Sequence, residues 1–132
     1  MTRAMSTSET IDTHGFDNAR AKAYFSDFLE DPTLDFIEDT FEFDADDLAE
    51  ASDMLLAAEL VAALMGAPAA ALPADVKAAM KGKPMPGKKL LTKTRMAVRA
   101  VLAEGSALRS YWQEKGIEPW QGAVKDLLGR LT

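Results

Sequence analysis

The sequence predicts an all-α, single-domain protein, an irregular bundle of five or six helices around one central apolar helix. Three observations carry this expectation. No segment sustains the apolar–polar alternation of a half-buried strand, and alanine, leucine, lysine and glutamate dominate the periodic segments. One stretch, MLLAAELVAALM from Met54 to Met65, is apolar on every side except at Glu59. A helix that is apolar all round is normally enclosed by protein, which makes this one the expected centre. The 132 residues suit one domain. A chain of this size buries roughly 65–70% of its unfolded surface and needs no disulfide or metal staple.

The first helix is expected from Asp17, an N-cap residue preceded by Phe16 as a staple, with Ala21, Tyr24, Phe25, Phe28 and Leu29 on its inner face. Residues 1–14, polar and without a helical period, are expected to form a mobile tail, leaving 15–132 as the domain. Asp31-Pro32 stops the first helix and starts the second, whose inner face is Leu34, Ile37 and Phe41. The central helix is expected from about Asp46 to Met65, ending at Gly66, with Leu48, Ala51, Leu55, Ala58 and Ala62 as its stripe. Pro73 opens a short helix carrying Val76 and Met80, closed by Gly82.

The segment GKPMPG, Gly82 to Gly87, is the clearest loop by composition. Beyond it Leu90, Leu91, Thr94, Ala97, Val98 and Val101 share a face, Gly105 and Ser106 mark a break or re-cap, and Leu108, Tyr111 and Trp112 continue the face. Pro119 is expected to begin the last helix, where Trp120, Val124, Leu127, Leu128 and Leu131 give the cleanest amphipathic signal in the chain.

Three of these stretches together resemble the family called domain of unknown function 4259. They are GFDNARAKAYFSDF from Gly15 to Phe28, LLAAELVAALMG from Leu55 to Gly66, and GSALRSYWQEKGIEPWQGAVKDLLGRL from Gly105 to Leu131. Order and spacing agree across residues 15–131, although Asp12, Thr13 and His14 stand where the family usually opens with tryptophan-glycine. The resemblance implies an all-helical fold and supplies no activity or site residue.

The charge is organised by halves. The net charge is −6, yet residues 1–66 carry −13 and residues 67–132 carry +7. From Asp27 to Asp53 there are twelve carboxylates and no lysine or arginine. On the second helix Asp35, Glu38, Asp39 and Glu42 sit at offsets 0, 3, 4 and 7, which reads as one acidic face. Like charges so placed destabilise a helix by roughly 0.2–0.5 kcal/mol per pair, so a compensating charge is expected in the basic half, a metal ion or a partner. With Asp46, Glu50 and Asp53 these residues form the candidate surface for a basic protein partner, as in an immunity or antitoxin-type protein.

Two other functions are consistent with the same residues. One is a magnesium- or manganese-dependent hydrolase built on Glu38, Asp39, Glu42, Glu50 and Asp53, against which stands the short spacing between the carboxylate pairs. The other is a homo-oligomer in which the acidic half meets the basic stretch from Lys77 to Arg99 of a second copy. That basic stretch lacks interleaved aromatics or a nucleic-acid motif, so no nucleic-acid partner is expected. No catalytic set, metal site or cofactor is assigned. The only histidine is His14, and cysteine is absent, so thiolate, histidine-cluster and serine–histidine–acid chemistry have no residues to build on. Lack of cysteine and of an apolar run long enough for a signal or a membrane span makes the cytoplasm the expected compartment. Glu59, on the inner stripe, is expected to be a buried charge matched by Arg95 or Arg99.

Overall fold

In the computed structural model, residues 19–132 are described, and all regular structure among them is helical. In chain order the helices are α1 (Ala19–Glu30), α2 (Leu34–Thr40), α3 (Leu48–Leu64), α4 (Ala74–Met80), α5 (Lys88–Leu102), α6 (Ala107–Gln113) and α7 (Ile117–Arg130). With α5 and α6 taken as one broken helix, the described residues match the upper end of the expected count. The expected tail, His14 and the Phe16–Asp17 start of the first helix lie outside the described residues. No described helix is long and apolar enough to cross a membrane.

α3 is the centre, as expected. It packs against each of the other helices, and Ala57, Ala58, Leu60, Val61 and Ala62 are wholly enclosed. The alanines among them leave room for neighbouring backbones to approach, since interhelical distance follows the side chains at the contact. The helix starts on Asp47, whose Oδ1 accepts the Glu50 N–H at 3.0 Å. It ends at Gly66, where φ is +84°. There the Gly66 N–H donates to the Ala63 carbonyl at 3.0 Å and the Ala67 N–H to that of Ala62 at 2.9 Å. This is the Schellman closure, which needs a left-handed residue at that position.

The surrounding helices present the faces that periodicity predicts. Ala21, Tyr24, Phe25 and Phe28 of α1, Ile37 of α2, Val76 and Met80 of α4, and Leu90, Thr94, Ala97, Val98 and Val101 of α5 are buried. So are Leu108 of α6, Trp120, Val124 and Leu127 of α7, and Leu131 just beyond it. The break between α5 and α6 is real, because Ser106 caps α6 by accepting the Arg109 N–H at 3.1 Å. The same hydroxyl donates to the Val101 carbonyl and so closes α5.

Helix starts differ from expectation at each proline. Thr33 caps α2 through Oγ1, which accepts the Phe36 N–H at 3.1 Å, so Pro32 stands outside the helix. Pro73 occupies the cap position of α4, and α7 begins at Ile117 with Pro119 inside its first turn. The physical reason is common to all three. No backbone amide from just before the cap through the first turn has an intrahelical partner, so a proline is tolerated at any of these positions and marks the start without fixing its residue.

Glu59 is buried in the middle of α3, and its partner is Arg130 rather than Arg95 or Arg99. Arg130 Nη1 donates to Glu59 Oε1 at 2.9 Å and Nη2 to Oε2 at 3.1 Å, a two-pronged contact from the last turn of α7. Nη1 also donates to the Ala67 carbonyl at 3.1 Å, and Nε to Asp126 Oδ2 at 2.9 Å. Burial acts to lower the Arg130 pKa, and Glu59 and then Asp126 more than offset it, so the guanidinium is held above its ordinary value. Arg95 is turned to α7 in a different way, donating from Nε and Nη2 to the Leu131 carbonyl at 3.1 and 2.8 Å. It thereby caps the C-terminal end of that helix. Arg99, one turn on, is exposed.

The enclosure of α3 makes a quantitative expectation. Leu60→Ala is expected to lower the free energy of unfolding by about 2–5 kcal/mol in urea titration. Met96→Ala on α5, at a residue 63% exposed, is expected to change it by less than about 0.5 kcal/mol. Similar losses in the two variants would contradict a core centred on α3.

Candidate functional site

Between α1, α2 and the first turns of α3 the fold leaves a groove of about 530 Å³. α1 places Arg20, Tyr24 and Asp27 along one line, at the one-turn spacings that stack side chains on a helix face. The α1–α2 turn adds Asp31, and α2 adds Asp35, Phe36, Asp39 and Thr40. Phe43 follows from the next turn, with Glu50 and Asp53 from α3. The groove is therefore lined by six carboxylates, one guanidinium and three aromatic rings.

Its wall is fixed by two contacts. Tyr24 stands within 2.9 Å of Thr40 Oγ1, and the Thr40 hydroxyl donates to the Phe36 carbonyl at 3.2 Å, so the tyrosine is the donor of the first bond. Burial pushes the Tyr24 pKa well up, which keeps the phenol protonated and able to donate. The ring also packs on Phe36, with centroids 5.4 Å apart. The second contact crosses from α1 to α3. Arg20 donates from Nε to Asp53 Oδ1 at 3.0 Å and from Nη2 to Oδ2. This pairing of two parallel donors with two acceptors is the strong form of the arginine–carboxylate bond.

The two partners of that bond are differently placed. Asp53 is 4% exposed, and burial holds its carboxyl above the ordinary value despite the opposing effect of Arg20. Arg20 is far more open, and its hydrogen bond to Asp53 raises its pKa. The desolvation cost thus falls on the aspartate, and the arginine relieves it.

The seven candidate surface residues do not act as one face. Asp35, Asp39, Glu50 and Asp53 line the groove, whereas Glu38 and Glu42 point to α5 and share Lys93, each at 3.0 Å. Hydrogen bonds to Glu38 and then to Glu42 raise the Lys93 pKa. Asp46 is exposed in the α2–α3 turn and does not line the groove. The expectation of one continuous acidic face on α2 is corrected accordingly. α2 ends at Thr40, so Glu42 lies in the turn beyond it, and on the helix itself Asp35 and Asp39 stand one turn apart on the groove side while Glu38 is rotated toward α5. Two acids serve the backbone of the turn: Asp44 Oδ1 accepts the Asp46 N–H at 2.9 Å, and Glu50 Oε1, from the first turn of α3, accepts the Asp44 N–H at 2.8 Å.

Four of the five carboxylates considered for a metal are thereby committed: Glu38 and Glu42 to Lys93, Asp53 to Arg20, and Glu50 to a backbone amide. Among the described residues no three histidine, aspartate or glutamate side chains converge as a metal would require. By contrast Asp27, Asp31, Asp35 and Asp39 make no ion pair among the described residues, although all four line the groove. Sequence reasoning does not single out Arg20, Tyr24, Phe36 or Phe43 as site residues. Tyr24 obeys the apolar period and reads as core, and a lone arginine before an acidic segment carries no signal of its partner.

The chain belongs to the DUF4259 family, domain of unknown function, whose model matches residues 10–123. No curated protein and no solved structure matches it.

The Arg20–Asp53 pair yields an ordered expectation. Arg20→Gln leaves a buried carboxylate without its counter-charge and is expected to cost about 1–2 kcal/mol at pH 7, discounted for the openness of Arg20. Asp53→Asn leaves a cation that water can solvate and is expected to cost less. A carboxyl with a raised folded pKa binds its proton more readily when folded, so folding is favoured as the pH falls. The Arg20→Gln deficit should therefore be largest at neutral pH and shrink on acidification through the Asp53 pKa. Urea titrations of both variants at pH 7 and near pH 4 check the order and the trend.

Proposed function

We propose that this protein is a non-catalytic protein-binding module whose groove between α1, α2 and α3 receives a basic surface of a partner protein. One observation carries the proposal. Asp27, Asp31, Asp35 and Asp39 surround a groove without an ion pair among the described residues, while Glu38, Glu42, Asp53 and Glu59 are matched by cations within the fold. Other acids are unpaired too, but only these four unpaired aspartates share one concavity, and that is what sets them apart.

The lining fits a guanidinium or ammonium group. Carboxylates supply the charge, and Phe36 and the 40% exposed Phe43 supply ring surface on which a cation or its aliphatic stem can rest. A net charge of −6 adds a long-range field that speeds approach of a basic protein. An immunity or antitoxin-type protein covering a basic toxin is the finer class we propose within this reading. Hydrolase chemistry has less support, since the carboxylates it would use are committed to Lys93, Arg20 and a backbone amide.

The test is co-purification of the tagged full chain from cells of its source, at low salt and again at high salt, with Asp35→Lys, Asp39→Lys beside the unaltered protein. A basic partner is expected to be captured at low salt, to weaken about tenfold or more at high salt, and to be lost with the double variant. Glu42→Gln, outside the groove, should retain it. Capture indifferent to Asp35 and Asp39, or capture of a second copy alone, would sink the proposal.

A further inference from the structure

We infer that the junction of α5, α6 and α7 is an anion site, distinct from the acidic groove, that takes the phosphate group of a small molecule. The junction holds a cavity of about 340 Å³ lined by Arg99, Leu102, Ala103, Arg109, Gln121 and Lys125. The last turn of α5 supplies Arg99 and Leu102, and α6 supplies Arg109. α7 adds Gln121 and Lys125 one turn apart. Three cations and a carboxamide thus share one concavity with no acid in its lining.

The cations that hold the fold together elsewhere are matched: Arg20 by Asp53, Lys93 by Glu38 and Glu42, Arg130 by Glu59 and Asp126. Arg99, Arg109 and Lys125 make no ion pair among the described residues. Arg109 is nevertheless held in place, because its Nη1 donates to the Leu102 carbonyl at 2.8 Å. Its Nε is enclosed without an acceptor. That nitrogen lies inside the protein, so the groups open to an anion in the cavity are Arg99, Lys125 and the outer part of Arg109. Guanidinium groups grip phosphate oxygens with paired N–H donors, and Arg99 brings a second guanidinium to the same concavity.

The acids near it in sequence, Glu104, Glu118 and Asp126, are exposed and do not line the cavity, and Asp126, beside Lys125, is paired with Arg130. Leu102 and Ala103 give one apolar wall, suited to the carbon body of a small phosphomonoester. A nucleic-acid backbone fits less well, since this is one pocket rather than a basic stripe and no aromatic ring lines it for base stacking. The negative net charge also opposes a long polyanion.

The probe is inorganic phosphate, titrated into the full chain at constant ionic strength held with chloride. Backbone amide resonances and the Arg109 Nε–H resonance are followed by NMR. Saturable changes confined to residues around Leu102, Arg109 and Gln121 are expected, with the Arg109 Nε–H resonance among those that move. Arg99→Gln, Lys125→Gln, both at exposed positions, is expected to weaken binding about tenfold while leaving the thermal midpoint unchanged. A drift that never saturates, or saturation unaffected by the double variant, would overturn the site. Tighter binding of a short oligothymidylate than of phosphate would overturn the small-molecule assignment.

Discussion

α3 carries apolar side chains around its whole circumference, and a small domain can hide such a helix only by using every other element to cover it. That constraint explains why α2, α4 and α6 are only two turns long: each closes one sector of the surface of α3 and then gives way to the next. It also explains where the chain breaks. Gly66 turns the chain sharply enough for the segment leading to α4 to fold back, and Ser106 divides α5 from α6 where one straight helix would run past its cover.

Enclosure has one awkward consequence in Glu59. A carboxylate at the centre of an apolar helix costs several kcal/mol unless matched, and the match here comes from Arg130 at the far end of the chain. The same Arg130 holds the Ala67 carbonyl just after α3 and Asp126 on its own helix. One guanidinium therefore ties the end of the last helix to the middle and the exit of the central one. An alternative docking of α7 would leave the buried Glu59 without this counter-charge.

Much of this is legible in the sequence, and the parts that are not share a physical cause. Burial of Ala21, Ile37, Val76, Val98 and Trp120 follows from an apolar period, which reports which side of a helix faces inward. Period does not report which neighbour that side meets. Arg95 is therefore a reasonable partner for Glu59 by face alone, and only the packing of α7 over α3 reveals Arg130. The same limit splits the acidic face of α2, since Lys93 on α5 selects Glu38 and Glu42 and leaves Asp35 and Asp39 to the groove. Tyr24 is legible as core and illegible as site because it is both: its ring is buried and its hydroxyl orders the wall of the groove.

The opposite charges of the two halves of the chain are thus only partly an internal matter. Lys93 and Arg130 bring basic residues of the second half onto Glu38, Glu42 and Glu59 of the first, and those pairings stabilise the bundle. The remaining charges are arranged in space: carboxylates gather where α1 and α2 diverge, and cations gather where α5, α6 and α7 meet. A fold that needed charge only for solubility would intersperse the two signs over its surface, since interspersed charges repel least. Like charges held beside concave surfaces instead carry a standing electrostatic cost that a ligand of opposite sign would relieve. The groove and the basic pocket are therefore the two places in the fold where like charges stay together without a counter-charge from the chain itself.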